Sequence, residues 1–355
     1  MSTTMQPAEA GHQMMAEDLL LEVNHLKMHF PVVRGIFARI KGYTKAADDV
    51  SFFIRKGETL GLVGESGCGK TTVGRCIVRA YVPTGGEILY RQSDGSVVDL
   101  AQIRGEGIRP YRKDLRMIFQ DPYSSLNPRM TVFELISEVL KVNKLAGPAE
   151  MKERVEALLE RVGMRPEYMQ RYPHAFSGGE RQRIVIARAL ITRPRLVICD
   201  EAVSGLDVSI RAQILNLLEE LQADFDLTYL FISHDLSVIR HICDRIVVMY
   251  VGKVVEIADG LELYVNPHHP YTEALMSAVP VTNPNARKAG ARIRLEGEIA
   301  DPSNPPAGCY FHPRCRYAQD RCKTEEPALR DLGENHFVAC HFAEQLDLAG
   351  VRMVG

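Results

Sequence analysis

Apolar positions along the chain fall into short strand-like runs, broken once by a long stretch of helical spacing. Leu19 to Phe30 and Ala46 to Ile54 carry strand-like apolar residues, and Gly57 leads into a further apolar strand, Thr59 to Val63. Short β-segments recur at Gly86 to Tyr90 and Ser96 to Leu100, and the strand Leu115 to Phe119 ends at Gln120. Asp121-Pro122 through Asn127-Pro128 reads as a loop. Thr131 to Val142 and Met151 to Val162 then space their apolar residues by three and four, which predicts a helical subdomain over about 121–190 inserted in an α/β core. Arg195 to Cys199 and Leu227 to Ile232 are nearly continuous apolar strands flanking a helix from about Ser209 to Ala223. Strand, crossover helix and strand predict a parallel βαβ unit. Ile246 to Tyr250 and Lys253 to Ile257 predict a hairpin around Gly252, and from Asn266 the composition shifts to Pro, His, Arg and Cys. The predicted organisation is a disordered tail over 1–18, a main domain over 19–265 and a C-terminal domain over 266–355.

Composition narrows the classes. Of 355 residues, 46% are hydrophobic and 25% charged, and 43 Lys+Arg against 45 Asp+Glu leave a net charge of −2. That balance supplies no basic field for nucleic acid. Met1 to Asp18 has neither a basic head nor an apolar core of the kind a signal peptide needs, and no run reaches the ~18 apolar residues of a membrane span. A cytosolic chain that reaches a membrane only by docking to other subunits is expected.

The chemistry begins at Gly64-Glu65-Ser66-Gly67-Cys68-Gly69-Lys70-Thr71, which fits G-x-x-x-x-G-K-[S/T] between a predicted strand and a predicted helix. The glycines let consecutive backbone N–H groups converge on an anion. Lys70 brings a point charge to the β/γ-phosphates, and the Thr71 hydroxyl can ligate Mg²⁺. Thr72 follows inside the helix. The βαβ unit places Asp200, Glu201 and His234 together at the carboxyl edge of the sheet, beside this loop. Asp200 can complete the Mg²⁺ shell with Thr71, Glu201 can orient or deprotonate the attacking water, and Gln120, on a third strand end, can join both. A histidine at this edge, next to the acidic pair, can sense the γ-phosphate.

Phe176-Ser177-Gly178-Gly179-Glu180 heads a helix over Arg181 to Leu190 and is a second anion site, with bare N–H groups and the positive end of a helix dipole. The chain already has its phosphate loop, so this second site is explained if it grips the nucleotide of another subunit. With these motifs in order, the chain resembles the nucleotide-binding subunits of ABC transporters: phosphate loop at Gly64–Thr71, Q-loop at Gln120, signature at Phe176–Glu180, Walker B strand at Arg195–Asp200 with Glu201, D-loop at Ser204-Gly205-Leu206-Asp207 and switch His234. Phe119 to Pro122, Leu126 to Met130, Val203 to Ser209 and Asn266-Pro267 to Thr272 are similar, more narrowly, to the oligopeptide/dipeptide importer ATPases and to their F-type subunit in particular.

The resemblance implies a P-loop NTPase fold of the α/β class: a RecA-like core with an antiparallel β-subdomain, an inserted helical subdomain and a small Cys-rich C-terminal domain. It also implies ATP and Mg²⁺ as ligands, and an aromatic residue stacked on adenine, for which Tyr43 is the choice and Phe37 the alternative. The implied assembly is a heterodimer with a sister ABC ATPase, docked on two transmembrane permeases at the cytoplasmic face of the inner membrane and fed by an extracytoplasmic substrate-binding protein. Ser177, Gly178, Gly179 and Glu180 would then serve the partner's ATP, and Asp207 of the D-loop would join the nucleotide-binding residues. Two positions depart from the family pattern: Ala202 stands where Pro often follows the catalytic Glu, and Glu180 where Gln usually ends the signature.

Eight cysteines fall into two sets. Cys68, Cys76, Cys199 and Cys243 are scattered and read as small apolar residues. Cys309, Cys315, Cys322 and Cys340 are spaced C-x₅-C-x₆-C-x₁₇-C, without the tight pairs of most structural zinc sites, yet four thiolates in one short segment suggest a metal. The matching region of peptide-importer ATPases holds a [4Fe–4S] cluster, so the resemblance implies one here, with zinc, or cysteines left unligated or disulfide-linked, as the alternatives. Other readings of the whole chain are a soluble ABC ATPase acting on DNA or ribosomes, or the same transporter role with nickel, opine or sugar as cargo.

Overall fold

The computed structural model describes residues 15–34, 39–279 and 293–351. In chain order the first elements are β1 (Leu19–Arg34), β2 (Arg39–Arg55), β3 (Thr59–Val63), α1 (Lys70–Ile77), β4 (Gly85–Arg91), β5 (Val97–Asp99) and β6 (Leu115–Ile118). The inserted helices α2 (Pro122–Ser125), α3 (Val132–Val142), α4 (Pro148–Arg161) and α5 (Gly178–Leu190) follow. The core then resumes with β7 (Leu196–Asp200), α6 (Val208–Phe225), β8 (Thr228–Ile232), α7 (Leu236–Ile242), β9 (Arg245–Tyr250) and β10 (Lys253–Asp259). The C-terminal segment contributes α8 (Gly260–Val265), α9 (Pro270–Met276), α10 (Asp320–Thr324), β11 (Arg330–Asp331) and β12 (Phe337–Val338).

The strands form two sheets. β2-β1-β4-β5 is antiparallel, and β11-β12-β10-β9-β3-β8-β7-β6 is mixed, with β9, β3, β8, β7 and β6 parallel. Strands β3, β7, β8 and β9 are buried along their whole length, as both-face coverage of a parallel sheet requires. Alternate residues divide between two cores: Leu196, Ile198, Leu230 and Ile232 pack toward α1 and the antiparallel sheet, whereas Val197, Cys199, Tyr229 and Phe231 pack toward α6 and the inserted helices. A buried ion pair, Arg245 to Glu58 at 2.9 Å, joins β9 to the turn before β3.

The register levels the strand ends. Leu62 lies opposite both Ile232 and Val247, Asp200 opposite Ile232, and Ile118 opposite Cys199, so the residues after β3, β6, β7 and β8 emerge at one edge.

Four expectations are revised. The segment after Gln120 is not all loop, since α2 occupies Pro122–Ser125. Strands β1 and β2 run past their apolar parts as a ribbon in which Val32 faces Gly42 and Val33 faces Ile40; pairing rather than burial holds it, so alternation does not reveal it. Helix α4 begins at Pro148, with proline in its first turn where a missing N–H costs nothing. The boundary expected near 266 is crossed by the main sheet, because β12 pairs with β10 through Glu256 opposite Val338.

Candidate active site

The loop between β3 and α1 has the backbone of an anion cradle. Gly67 and Gly69 adopt left-handed φ values of 81° and 106°, and a Cβ on Gly69 would collide with the Ala46 carbonyl oxygen. Cys68 is buried and Ser66 exposed. Lys70 is 5% exposed and folds its ammonium back, donating to the carbonyls of Gly64 at 2.7 Å and Glu65 at 3.0 Å. Its charge is thus held by weak carbonyl partners, which a phosphate can outbid.

On the first turn of α1, Thr71 donates from its hydroxyl to Asp200 Oδ1 at 2.9 Å. Asp200 ends β7, and its burial raises the carboxyl pKa even though the Thr71 bond and the cations Arg75 and Lys70 oppose it. A hydroxyl and a buried carboxyl in contact are oxygen ligands of the kind a hard cation takes. Thr72, on the same turn, is half-buried.

Glu201 follows with a left-handed φ of 50°, and its N–H donates to the Ile232 carbonyl at 2.9 Å. The turn aims its carboxylate along the sheet edge. Gln120 Nε2 donates to Oε2 at 2.6 Å, and His234 Nδ1 lies 3.0 Å from Oε1. The structure therefore brings Gln120 into direct contact with Glu201. These groups line one cleft with Ser204, Gly205, Arg211 and Asp235.

Sequence comparison gives this geometry its family. A model of ABC transporters matches residues 47–204, and one of the oligopeptide/dipeptide transporter C-terminal region matches 255–322. The oligopeptide transport ATP-binding protein AppF of Bacillus subtilis is 52% identical over 325 residues, which are 92% of this chain and 98% of that protein. The chain belongs to the ABC transporter ATP-binding proteins of the oligopeptide transport family. Oligopeptide transport ATP-binding protein OppF of Haemophilus influenzae is 46% identical, covering 91% of this chain and 97% of its own. Among solved structures, CbiO1 of Clostridium perfringens, part of the ABC transporter complex CbiONQ, is 27% identical with a TM-score of 0.58 over 70% of this chain and 91% of that one. The ATP-binding cassette MJ0796, solved as a dimer with ADP and Pi, shares the fold at 23% identity and a TM-score of 0.58, over 68% of this chain and 98% of its own.

In this ABC ATPase, Ser177 caps α5. Its hydroxyl and N–H both donate to Glu180 Oε2, at 2.8 and 2.9 Å, and those bonds lower the Glu180 carboxyl pKa. Gly179 packs so closely on Ile210 that a Cβ would overlap it, and Gly178 opens the helix. Among the described residues no hydrogen bond links Ser177 to the phosphate loop, Asp200 or Glu201. Asp207 caps α6 through Ile210 N–H at 3.0 Å. Arg211, which the motif reading did not single out, ties the D-loop to the residue after His234: it donates to the Leu206 carbonyl at 3.2 Å and to Asp235 at 2.6 Å. Only the meeting of two loops reveals it.

Tyr43 stands half-exposed on β2 opposite Pro31, while Phe37 lies outside the described residues. Cys309, Cys315, Cys322 and Cys340 line one small cavity walled by Phe311, Phe342 and Leu346. Burial, with a contribution from the neighbouring thiols, pushes Cys309 up to about 11 and Cys315 up to about 12. Among the described residues no three His, Cys, Asp or Glu side chains are gathered closely enough around one point to hold a single metal ion. Four thiols along one apolar-walled cavity are of the residue type that ligates iron–sulfur centres. Three of the four scattered cysteines, Cys68, Cys76 and Cys199, are buried.

Proposed function

We propose that the chain is the ATP-hydrolysing, energy-coupling subunit of an ABC importer for short peptides, acting from the cytoplasmic face of the membrane. The carrying observation is the convergence at one sheet edge of Lys70, the Thr71–Asp200 pair and a Glu201 held by Gln120 and His234. In this reading the phosphate loop from Gly64 to Thr72 binds the triphosphate, Thr71 and Asp200 hold Mg²⁺, and Glu201 orients and deprotonates the attacking water. His234 fixes the Glu201 carboxylate and meets the γ-phosphate, and Gln120 relays the state of the site into the inserted helices. Tyr43 supports adenine from β2. Among the described residues no helix is long and apolar enough to cross a membrane, so force must pass to separate membrane subunits.

Ser177, Gly178, Gly179, Glu180 and Asp207 complete the site of a sister ATPase. The support is that Ser177 shares no bond with this chain's own phosphate loop, although its helix end is built to receive an anion. Two permeases and an extracytoplasmic peptide-binding protein complete the assembly. In the same reading Cys309, Cys315, Cys322 and Cys340 would hold a [4Fe–4S] cluster, each giving one iron a thiolate and so tying the C-terminal segment together.

Affinity purification of the tagged chain from native membranes in mild detergent, carried out anaerobically, tests this assembly. A second ATPase, two permeases, iron and acid-labile sulfide should co-purify. Recovery with ribosomes or DNA instead would overturn the transport role, and stoichiometric zinc without iron would overturn the cluster.

A further inference from the structure

The phosphate loop carries an acidic residue that a polyanion should not welcome. Glu65 is the second residue of the loop, and its side chain is 27% exposed. Its charge is met from 249 positions away: Arg314 Nη1 donates to Oε2 at 2.7 Å and Nη2 to Oε1 at 3.1 Å. The guanidinium is 7% exposed and stands over the Tyr250 ring, so this is a forked, desolvated pair rather than a surface contact. The Glu65 N–H is also taken up by the C-terminal segment, since it donates to the hydroxyl of the buried Tyr271 at 2.9 Å. The Glu65 carbonyl in turn accepts from Lys70. One residue thus links the loop's lysine to the segment beyond 270.

We propose that Arg314 is a positioning residue of the nucleotide site: it turns the Glu65 carboxylate toward the C-terminal segment and neutralises it, so the loop presents to the phosphates a Lys70 that no carboxylate opposes. The inference rests on the nucleotide reading of this loop. Without the guanidinium a carboxylate stands unpaired among the groups that must bind a triphosphate, and the repulsion falls on ATP affinity.

The test is equilibrium binding of a fluorescent ATP analogue with Mg²⁺ to the full chain, measured for the parent and for Arg314→Ala, Arg314→Lys, Glu65→Gln and the Glu65→Gln/Arg314→Ala double variant. Arg314→Ala weakens binding by about tenfold, whereas the same substitution in the Glu65→Gln background changes it by less than about twofold. Arg314→Lys keeps the charge but loses the fork and falls between parent and alanine. Should the alanine variant not fold, the lysine variant carries the same comparison in both backgrounds. Equal loss in the two backgrounds, or parental affinity in Arg314→Ala, overturns the positioning role. A parent chain that fails to bind the analogue overturns the nucleotide reading, and the positioning role with it.

Discussion

Glu201 concentrates the chemistry in one side chain. Both its oxygens are occupied, one by Gln120 and one by His234, and its backbone sits in a conformation that costs a non-glycine residue energy. Those two contacts hold the carboxylate between the residues that follow β6 and β8. Glu201→Gln keeps the shape and the Gln120 contact but removes the base. It should leave ATP binding intact and lower turnover in the assembled complex by roughly 10²–10⁴; steady-state ATPase assays decide it, and a parental rate would exclude Glu201 as the base. The residue types were legible in the sequence because an acidic pair ends an apolar strand after a phosphate loop. What was not legible is that Gln120 bonds the Glu201 carboxylate directly, since that contact depends on where two strand ends stand relative to each other.

Among the elements, helix α5 combines two roles at its first turn. The Ser177–Glu180 capping box satisfies the N–H groups of Ser177 and Glu180, and the same helix end forms the proposed trans anion site. Ser177→Ala should therefore lower the stability of the isolated chain by about 1 kcal/mol, read by urea unfolding, and should also suppress hydrolysis in the complex. Stability loss with undiminished turnover would leave Ser177 only a cap. Strand and helix identities followed from periodicity because buried parallel strands and amphipathic helices declare themselves. The β1–β2 ribbon and α2 did not, since cross-strand pairing and a single helical turn leave no apolar period.

Over the whole molecule, the C-terminal segment is part of the ATPase and not an appendage. Asp48, behind the phosphate loop, accepts from Tyr310 at 2.9 Å, from Lys45 at 3.1 Å and from His29 at 3.0 Å, with Lys253 at 3.6 Å, so one carboxylate joins the antiparallel sheet, β10 and the cysteine-bearing segment. Burial alone would raise its pKa, but Lys253, Lys45 and the Tyr310 hydroxyl outweigh it and hold the carboxyl at about 2, below the ordinary 3.8. A depressed carboxyl stabilises the fold above the unfolded value and loses that contribution as pH falls through the folded one. Asp48→Asn should thus cost about 1–2 kcal/mol at neutral pH, with the difference from the parent shrinking as pH drops from about 4 toward 2. Denaturant unfolding across that range checks it, and a pH-independent difference would refute the linkage. By itself, the sequence determined the motifs, their order and the α/β class, because strand–loop–helix chemistry is local and continuous along the chain. Only the tertiary structure decided that Arg314 meets Glu65, that Tyr310 meets Asp48 and that β12 extends the main sheet, because contacts between residues some 80 to 260 positions apart are set by how layers pack and leave no periodic trace in either partner.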